Sequence, residues 1–228
     1  MFSECKLVTG DFEECVEFPP VPKNHSRLFF SKEVSLFRID GFDRTLETDQ
    51  VLPGQTRGPK FSPVHLRTIL SKHGRIPVAQ IQIHTNKFGK PFVVCGAESQ
   101  IRPEFYFSLS HTLSRTFLAI SNDVEIGIDC EEVRELSGFW DVAKYFFSRQ
   151  EQEYIQKNTG LDKLISFYKI LTRKEAIVKC LGIGINRDIQ KWNMTLSTLN
   201  LDRKCINIQT FQCQKDAIIL SIARMTDR

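Results

Sequence analysis

The chain has 228 residues, of which 41% are hydrophobic and 25% charged, a composition typical of a folded globular protein rather than a disordered or fibrous one. Its formal net charge of +4 is too small for a dedicated nucleic-acid-binding surface and suits acidic or phosphate-bearing partners. The seven cysteines are odd in number and include no Cys-x-x-Cys pair, which argues against a zinc ribbon or disulfide framework and predicts a reducing, cytoplasmic location. Without a secretion-type leader or an apolar run of about 18 residues, we expect neither secretion nor a membrane span.

Hydrophobic periodicity and turn residues predict a different series of elements before and after residue 104. Before it we expect a strand pair or a strand with a turn over residues 28–39 and a loop over 52–59. A helix follows over 64–74, and then the two strands of a hairpin over 78–84 and 92–95. After it we expect an antiparallel meander of three short strands over residues 105–110, 116–121 and 125–130. Two helices follow over 138–157 and 162–181, and two closing strands over 199–211 and 217–223.

Strands and helices that are grouped rather than strictly alternating indicate an α+β fold. A chain of this length can form one large domain or two small ones. Because the two parts of the chain are similar in size and content, we divide it into an N-terminal subdomain, residues 1–103, and a C-terminal subdomain, residues 104–228.

The segment 171–185 combines charged and apolar residues at helical spacing. With about 100° between successive residues, Glu175 and Lys179 lie on one side of the predicted helix. The apolar face roughly opposite them consists of Ala176, Ile177, Cys180 and Leu181. A helix that carries lysines and a carboxylate and is anchored in a core suits a phosphate or metal site. Such an i, i+4 pair is equally typical of a solvated helix surface, so the segment alone leaves both interpretations open.

Period-two alternation in the predicted strand from Glu125 to Glu131 places two carboxylates on one face. Asp129 and Glu131 share that face with Gly127, and the apolar residues between them point the other way. Oxygen ligands two residues apart suit Mg²⁺, for which Glu175 is a candidate third carboxylate. The same Asp-x-Glu pattern also occurs on solvated strand edges.

Ser110 and His111 end a predicted strand with a hydroxyl and an imidazole, which are groups suited to phosphate binding. Together with Asp129 they supply the residue types of a hydrolase triad, but adjacent Ser and His side chains seldom point at each other, and no Gly-x-Ser-x-Gly motif is present. Lys90 adds a cation to a glycine-containing turn. The sequence has neither a Walker motif nor Gly-x-Gly-x-x-Gly, which argues against the common nucleotide-binding folds.

Five short motifs occur in order along the chain. They are Gly-Lys-Pro at residue 89, Phe-Ser-Leu-Ser-His-Thr at 107, Gly-Ile-Asp-Cys-Glu at 127, Phe-Ser-Arg-Gln-Glu at 147 and Thr-Arg-Lys-Glu-Ala-Ile-Val-Lys at 172. As an ordered set they resemble the 4′-phosphopantetheinyl transferase superfamily, and in particular its larger, surfactin-synthetase-activating type. The resemblance extends from about Val64 to Ile185, which is over half of the chain.

The resemblance implies two pseudo-symmetric subdomains, each a small, mostly antiparallel sheet packed with helices, with the active site at their interface. It implies an enzyme that transfers the 4′-phosphopantetheine arm of coenzyme A to a serine of an acyl or peptidyl carrier protein, with Mg²⁺ or Mn²⁺, and releases adenosine 3′,5′-bisphosphate. The carriers would serve fatty acid, polyketide or nonribosomal peptide biosynthesis. A monomer would suffice, and neither a nucleic acid nor a membrane is expected as a partner.

The resemblance also implies a role for each candidate residue. The implied metal ligands are Asp129, Glu131 and Glu175, and the implied catalytic residues are Glu175, Lys179 and Asp129. The implied coenzyme A ligands are Lys90, Ser110, His111, Lys174, Lys179 and Arg67. Glu175, directly or through a water that it positions, would accept the proton of the carrier serine.

Two positions depart from the family pattern. Leu171 stands where better-known members carry a tryptophan, and Pro63 where many carry an arginine that helps to bind the adenosine end. Lys60, Arg57 or Arg67 would replace that arginine. These departures keep an alternative function open, a non-catalytic module that binds coenzyme A or a carrier protein.

Overall fold

The computed structural model describes residues 5–7, 13–14, 34–40, 63–95, 105–112, 115–201, 204–213 and 216–227. Among these residues there are four α-helices: α1 (Pro63–Gly74), α2 (Phe139–Phe146), α3 (Arg149–Gln156) and α4 (Gly160–Leu181). The same residues contain eleven strands: β1 (Cys5–Leu7), β2 (Glu13–Glu14), β3 (Val34–Asp40), β4 (Ile81–Thr85), β5 (Pro91–Cys95), β6 (Tyr106–His111), β7 (Arg115–Ser121), β8 (Ile126–Glu132), β9 (Thr198–Leu201), β10 (Lys204–Cys213) and β11 (Ile218–Asp227).

The strands form two sheets and a separate hairpin. The first sheet has the order β1-β3-β7-β6, and the second has the order β2-β10-β11-β8, with β9 also paired to β10. Strands β4 and β5 form the hairpin, and the pairing is antiparallel throughout. Small antiparallel sheets packed with helices confirm the predicted α+β fold.

Several elements lie where the sequence predicts them, namely α1, the β4–β5 hairpin, α4 and the last strand β11. The single strand predicted over residues 199–211 is wrong, because β9 and β10 occupy this stretch and pair with each other as antiparallel strands. Of the strand pair or strand with a turn predicted over residues 28–39, the part from Val34 onward lies in β3, and residues 28–33 lie outside the described residues. The loop predicted over residues 52–59 lies outside the described residues.

The single helix predicted over residues 138–157 is wrong, because two helices occupy this stretch. Phe147 is extended, with φ −102° and ψ 143°, and Ser148 then caps α3. The Ser148 hydroxyl accepts a hydrogen bond from the Glu151 backbone N–H at 3.3 Å, and the Glu151 carboxylate accepts one from the Ser148 N–H at 2.6 Å. This capping box begins a new helix inside a stretch whose periodicity is continuous.

The predicted three-stranded meander is also wrong. Strands β6 and β7 pair as expected, but β8 leaves them and pairs along its whole length with β11 of the second sheet, from Ile126 opposite Arg224 to Glu132 opposite Ile218. Alternation within a strand fixes its two faces and carries no information about its neighbour.

The change from one sheet to the other falls between β7 and β8. Strands β6 and β7, which the predicted division assigns to the C-terminal subdomain, form one sheet with β3 of the N-terminal part. The boundary at residue 103 stays a prediction.

Helix α4 packs directly on β8, and Gly127 permits the close approach. A Cβ at residue 127 would lie 2.0 Å from the carbonyl oxygen of Ala176 and 2.3 Å from the amide nitrogen of Cys180. The other face of β8, with Ile126 and Ile128, is buried in an apolar core. The alternation expected from the sequence is therefore confirmed, and its glycine face is the one that receives α4.

The described residues bear on two expectations from the sequence, those about membrane-spanning segments and about disulfides. No helix in the described ranges is both long and apolar enough to cross a bilayer. Cys95, Cys130, Cys180, Cys205 and Cys213 are free thiols, and the three of them that are buried, Cys130, Cys180 and Cys213, behave as small apolar residues. Burial raises the pKa of Cys130 and of Cys180 to about 12, so neither thiol is reactive.

Replacing Gly127 with alanine should strongly destabilise the protein, because the new methyl group meets helix backbone that no side-chain rotation can move. We expect a loss of about 3 kcal/mol or more in the free energy of unfolding, measured by urea denaturation. Gly184→Ala is the matched control: its Cβ would meet the Phe88 ring at 3.2 Å, a side chain that can shift. Equal losses in the two variants would contradict this account of α4 packing.

Candidate active site

The carboxylate of Asp129 lies where β8, β6 and α4 meet. The residue is 5% exposed, and its Oδ1 accepts hydrogen bonds from Ser110 Oγ at 2.9 Å and from Lys179 Nζ at 2.7 Å. Its Oδ2 is buried and has no hydrogen-bond partner in the described part of the chain. Since an unpaired buried carboxylate oxygen is costly, an additional cation at Oδ2 would be stabilising.

Glu131 and Glu175 bring two further carboxylates to Asp129. Glu131 follows on the same face of β8, Glu175 lies on α4 one turn before Lys179, and both residues are half-buried. Burial raises the pKa of Glu131 to about 7, and the negative charges of Asp129 and Glu175 add to this effect. Burial and the charge of Asp129 likewise raise the pKa of Glu175 to about 7, with Lys179 acting in the opposite direction. The three acidic groups therefore interact electrostatically.

Lys179 offsets part of the negative charge of this acidic group. Its ammonium donates hydrogen bonds to Asp129 Oδ1 and, at 3.0 Å, to Ser110 Oγ. Burial alone would lower the pKa of Lys179, but the charge of Asp129, the hydrogen bond to it and the charge of Glu175 together raise that pKa. Lys179 is thus held in its charged form beside the carboxylates.

Serine hydroxyls of β6 connect the edges of the two sheets. Ser108 Oγ accepts the backbone N–H of Ile128 at 3.1 Å, and Ser110 Oγ accepts that of Cys130 at 3.1 Å. His111 follows Ser110 and is exposed; partial desolvation and then the charge of Lys179 hold its pKa below the ordinary value, against the opposite effect of Asp129. Sequence reasoning identified Ser110 and His111 but missed the role of Ser108.

Lys90 lies at the end of α4, away from Asp129. Its ammonium forms an ion pair with Glu125 and donates to the carbonyl oxygen of Cys180 at 2.8 Å. A cavity of about 170 Å³ borders this pair and is lined by residues of β5 and β6, including Phe92 and Phe107. The structure therefore does not join Lys90 to the carboxylate group, and the predicted contact of Lys90 with coenzyme A phosphates stays a prediction.

The predicted role of Lys174 as a coenzyme A ligand needs correction. Lys174 is 1% exposed; its ammonium pairs with Glu151 at 3.0 Å and donates to the carbonyl oxygens of Ile189 at 2.6 Å and Trp192 at 2.8 Å. These three partners use its three N–H donors, so none is left for a phosphate. Sequence reasoning gave Glu151 no role, although the Ser148-x-x-Glu151 capping pattern was visible.

Arg67, the remaining predicted coenzyme A ligand, is half-buried on α1. Its neighbours Leu66 and Leu70 pack with Phe105 and Phe107 in the core of the first sheet. Its predicted role stays a prediction, and Lys60 and Arg57 lie outside the described residues.

An apolar cavity of about 110 Å³ lies beside Glu175. Its walls come from α2, α4 and the segment after α4, and its lining residues are Val142, Phe146, Phe147, Leu171, Lys174, Glu175, Val178, Ile185 and Ile189. The Leu171 side chain, where a tryptophan was expected from the family pattern, forms part of this wall. Glu175 is thus bordered by the charged group and by an apolar recess.

The acidic group has the donor chemistry of a divalent-cation site but not its closed geometry. In the described ranges, no three His, Cys, Asp or Glu side chains are gathered closely enough to hold a metal ion. The donor chemistry nevertheless fits Mg²⁺ or Mn²⁺, because three carboxylates interact, two of them with pKa values raised to about 7, and Asp129 Oδ2 is unpartnered. The assignment of Asp129, Glu131 and Glu175 as ligands stays a prediction.

Comparison with known proteins identifies several relatives. The L-aminoadipate-semialdehyde dehydrogenase-phosphopantetheinyl transferase of Homo sapiens is 28% identical over 143 residues, which cover 60% of this chain and 46% of that protein. The 4′-phosphopantetheinyl transferase psf-1 of Bacillus pumilus is 31% identical over 134 residues, 59% of this chain and 54% of its own length. The 4′-phosphopantetheinyl transferase AcpT of Salmonella typhimurium is 30% identical over 138 residues, which cover 60% of this chain and 64% of that protein. The chain spans about half the length of such relatives.

A family model gives the same result for the part of the chain that carries the acidic group. Residues 125–220 match the model described as the 4′-phosphopantetheinyl transferase superfamily. The matched segment contains β8 with Asp129 and Glu131, and α4 with Glu175 and Lys179. These matches confirm the resemblance predicted from the ordered motifs: over this segment the chain is similar to the 4′-phosphopantetheinyl transferase superfamily.

Proposed function

We propose that this protein transfers the 4′-phosphopantetheine arm of coenzyme A to a serine of an acyl or peptidyl carrier protein, with Mg²⁺ or Mn²⁺, and releases adenosine 3′,5′-bisphosphate. The observation that carries the proposal is the meeting of Asp129, Glu131, Glu175 and Lys179 between β8 and α4, inside the segment that matches the superfamily. Carboxylates that bind a divalent cation, next to a lysine, supply the two kinds of charge that pyrophosphate chemistry needs.

The divalent cation, when bound, would neutralise charge on the pyrophosphate of coenzyme A. Asp129, Glu131 and Glu175 are the residues that would hold it, with Asp129 Oδ2 open for this purpose. Lys179, which donates to Asp129 and Ser110, would give its third N–H to a phosphate oxygen, and Ser110, whose own proton goes to Asp129, would hold Lys179 in place. His111, exposed at the end of β6, adds a donor at the rim of the same group.

Glu175 is the residue we assign as the base. A carboxylate with a pKa raised to about 7 accepts a proton near neutral pH far better than an ordinary glutamate. Glu175 would take the proton of the carrier serine, directly or through a water that it positions, as the serine oxygen attacks phosphorus. The bond from that phosphorus to the oxygen of adenosine 3′,5′-bisphosphate then breaks.

The setting that we propose is the cytoplasm, with the protein acting as a monomer on carriers of fatty acid, polyketide or nonribosomal peptide biosynthesis. The free, buried cysteines support a reducing compartment.

The direct test is transfer to a carrier protein. Incubated with coenzyme A, Mg²⁺ and an apo-carrier, the protein should add the mass of one phosphopantetheine, detected by intact-protein mass spectrometry, and a chelator should abolish the reaction. If folded protein modifies none of a panel of apo-carriers, the transferase proposal fails. Tight calorimetric binding of coenzyme A without any transfer would instead favour the non-catalytic binding module.

Changing Glu175 to glutamine should lower kcat by about 10²- to 10³-fold, because the amide cannot accept a proton and binds a cation poorly. Asp129→Ala should cause a comparable loss, since it removes the partner of Lys179 and the open Oδ2. Glu153→Gln is the matched control, as Glu153 is on the surface of α3 and pairs only at the surface with Arg149 at 2.9 Å. Circular dichroism would verify the fold, and a near-normal rate in the Glu175 variant would refute the role of base.

Cation binding should be linked to protons. With pKa values raised to about 7, Glu131 and Glu175 are largely protonated below neutral pH, and a cation must displace those protons. We expect Mn²⁺ affinity to fall as the pH drops through 7, with proton release greater at about pH 6 than at about pH 8.5. Calorimetry in two buffers of different ionisation enthalpy measures the release. Equal affinity and no release at the lower pH would contradict the proposed ligand set.

A further inference from the structure

The three residues that precede Glu175 on α4 are polar and almost completely buried. Thr172, Arg173 and Lys174 are 0%, 3% and 1% exposed. Successive residues of a helix point about 100° apart, so these side chains leave α4 in three directions and meet three different parts of the protein. Burying three consecutive polar groups is unfavourable unless each is fully hydrogen-bonded.

Thr172 connects α4 to the sheet that carries Asp129. Its hydroxyl lies 2.8 Å from Ser221 Oγ and also donates to the carbonyl oxygen of Tyr168 one turn earlier. Ser221 is the β11 residue paired with Asp129 of β8, and Thr210 is the β10 residue paired with Ser221. Paired residues of adjacent strands share a face, so a row of polar side chains runs from Asp129 across the sheet beneath the helix.

Arg173 and Lys174, the other two of the three buried polar residues, are also hydrogen-bonded inside the protein. Arg173 Nε donates to Thr210 Oγ1 at 2.8 Å, and its Nη1 donates to the carbonyl oxygen of Met194 at 2.7 Å. Thr210 in turn lies 2.9 Å from Ser221, which closes a hydrogen-bonded path from Arg173 back to Thr172. Lys174, through Glu151, attaches the opposite side of the helix to α3.

We propose that Thr172, Arg173 and Lys174 act as positioning residues, which fix the rotation of α4 over the sheet so that Glu175 and Lys179 face Asp129. This inference rests on the proposed function, because it assigns the purpose of the three residues to that same site. Apolar side chains of similar size would hold α4 against the sheet, but packing alone tolerates small rotations and slides. Hydrogen bonds with defined directions restrict both.

Two substitutions at residue 172 separate the effect of side-chain volume from the effect of the hydroxyl hydrogen bonds, and so test the proposal. Thr172→Val keeps the side-chain volume and removes the hydroxyl, whereas Thr172→Ser keeps the hydroxyl and removes a methyl group. If the hydroxyl positions Glu175, the valine variant should lose about tenfold in kcat and about tenfold in Mn²⁺ affinity, with the KM for coenzyme A changed less than about twofold. The serine variant should retain both values.

Ser221→Ala provides a second, gentler variant if Thr172→Val folds poorly, because Thr172 keeps its bond to Tyr168. Ser121→Ala is the matched control. Ser121, the last residue of β7, is an equally buried serine whose hydroxyl donates a hydrogen bond to Asp123 Oδ1 at 2.9 Å. The control should leave kcat and Mn²⁺ affinity unchanged. All measurements use the full chain, with urea denaturation to compare stabilities.

The outcomes separate this inference from the function on which it rests. Wild-type kcat and Mn²⁺ affinity in both Thr172→Val and Ser221→Ala would overturn the positioning role, as would equal damage by serine and valine at residue 172. If the wild type binds Mn²⁺ but transfers nothing, the proposed function fails and the Mn²⁺ affinities of the variants still decide the positioning role. Failure of the wild type to bind Mn²⁺ would overturn both.

Discussion

The backbone contact between α4 and β8 at Gly127 is the constraint on which the site depends. Because residue 127 has no side chain, the helix comes close enough for its own backbone at Ala176 and Cys180 to lie where a Cβ would be. Asp129 is two residues further along the same strand face. Lys179 lies on the helix between the two contact residues, Ala176 and Cys180, and is hydrogen-bonded to Asp129. A larger side chain at residue 127 would push α4 away from β8. The same movement would separate Asp129 from Lys179.

The cost of this arrangement is electrostatic. Three carboxylates interact in a half-buried place where Lys179 is hydrogen-bonded to Asp129. Burial first, and then the neighbouring negative charges, raise the pKa values of Glu131 and Glu175. One residue earlier on the same helix, the charge of Lys174 is balanced by a carboxylate, and two carbonyl oxygens accept its other N–H groups. The excess of negative charge lies on the face of α4 that carries Glu175, and a divalent cation bound there would offset it.

Sequence periodicity predicted those parts of the site that depend on one element. The faces of β8 follow from alternation and the Glu175–Lys179 edge from helical spacing, and both are present in the structure. Lys174 could not be assigned in this way: its sequence spacing is as compatible with a solvated edge as with burial, and its partners lie 15 and more residues away in the chain. The partner of β8 was missed for the same reason, since sheet neighbours are a tertiary property, whereas the break before α3 was visible as a capping box.

Ser110 shows why the seam between the two sheets is a suitable place for the site. Strands β6 and β8 are the terminal strands of their sheets in the described residues, so the Cys130 N–H of β8 requires a partner that a regular ladder does not supply. The Ser110 hydroxyl accepts that N–H, accepts a second hydrogen bond from Lys179 and donates its own proton to Asp129 Oδ1. A hydroxyl has one donor and two acceptor positions, and all three are used. With Oδ1 fixed by Ser110 and Lys179, the orientation of the Asp129 carboxylate is determined, and its unpartnered Oδ2 is held in place before any ligand arrives.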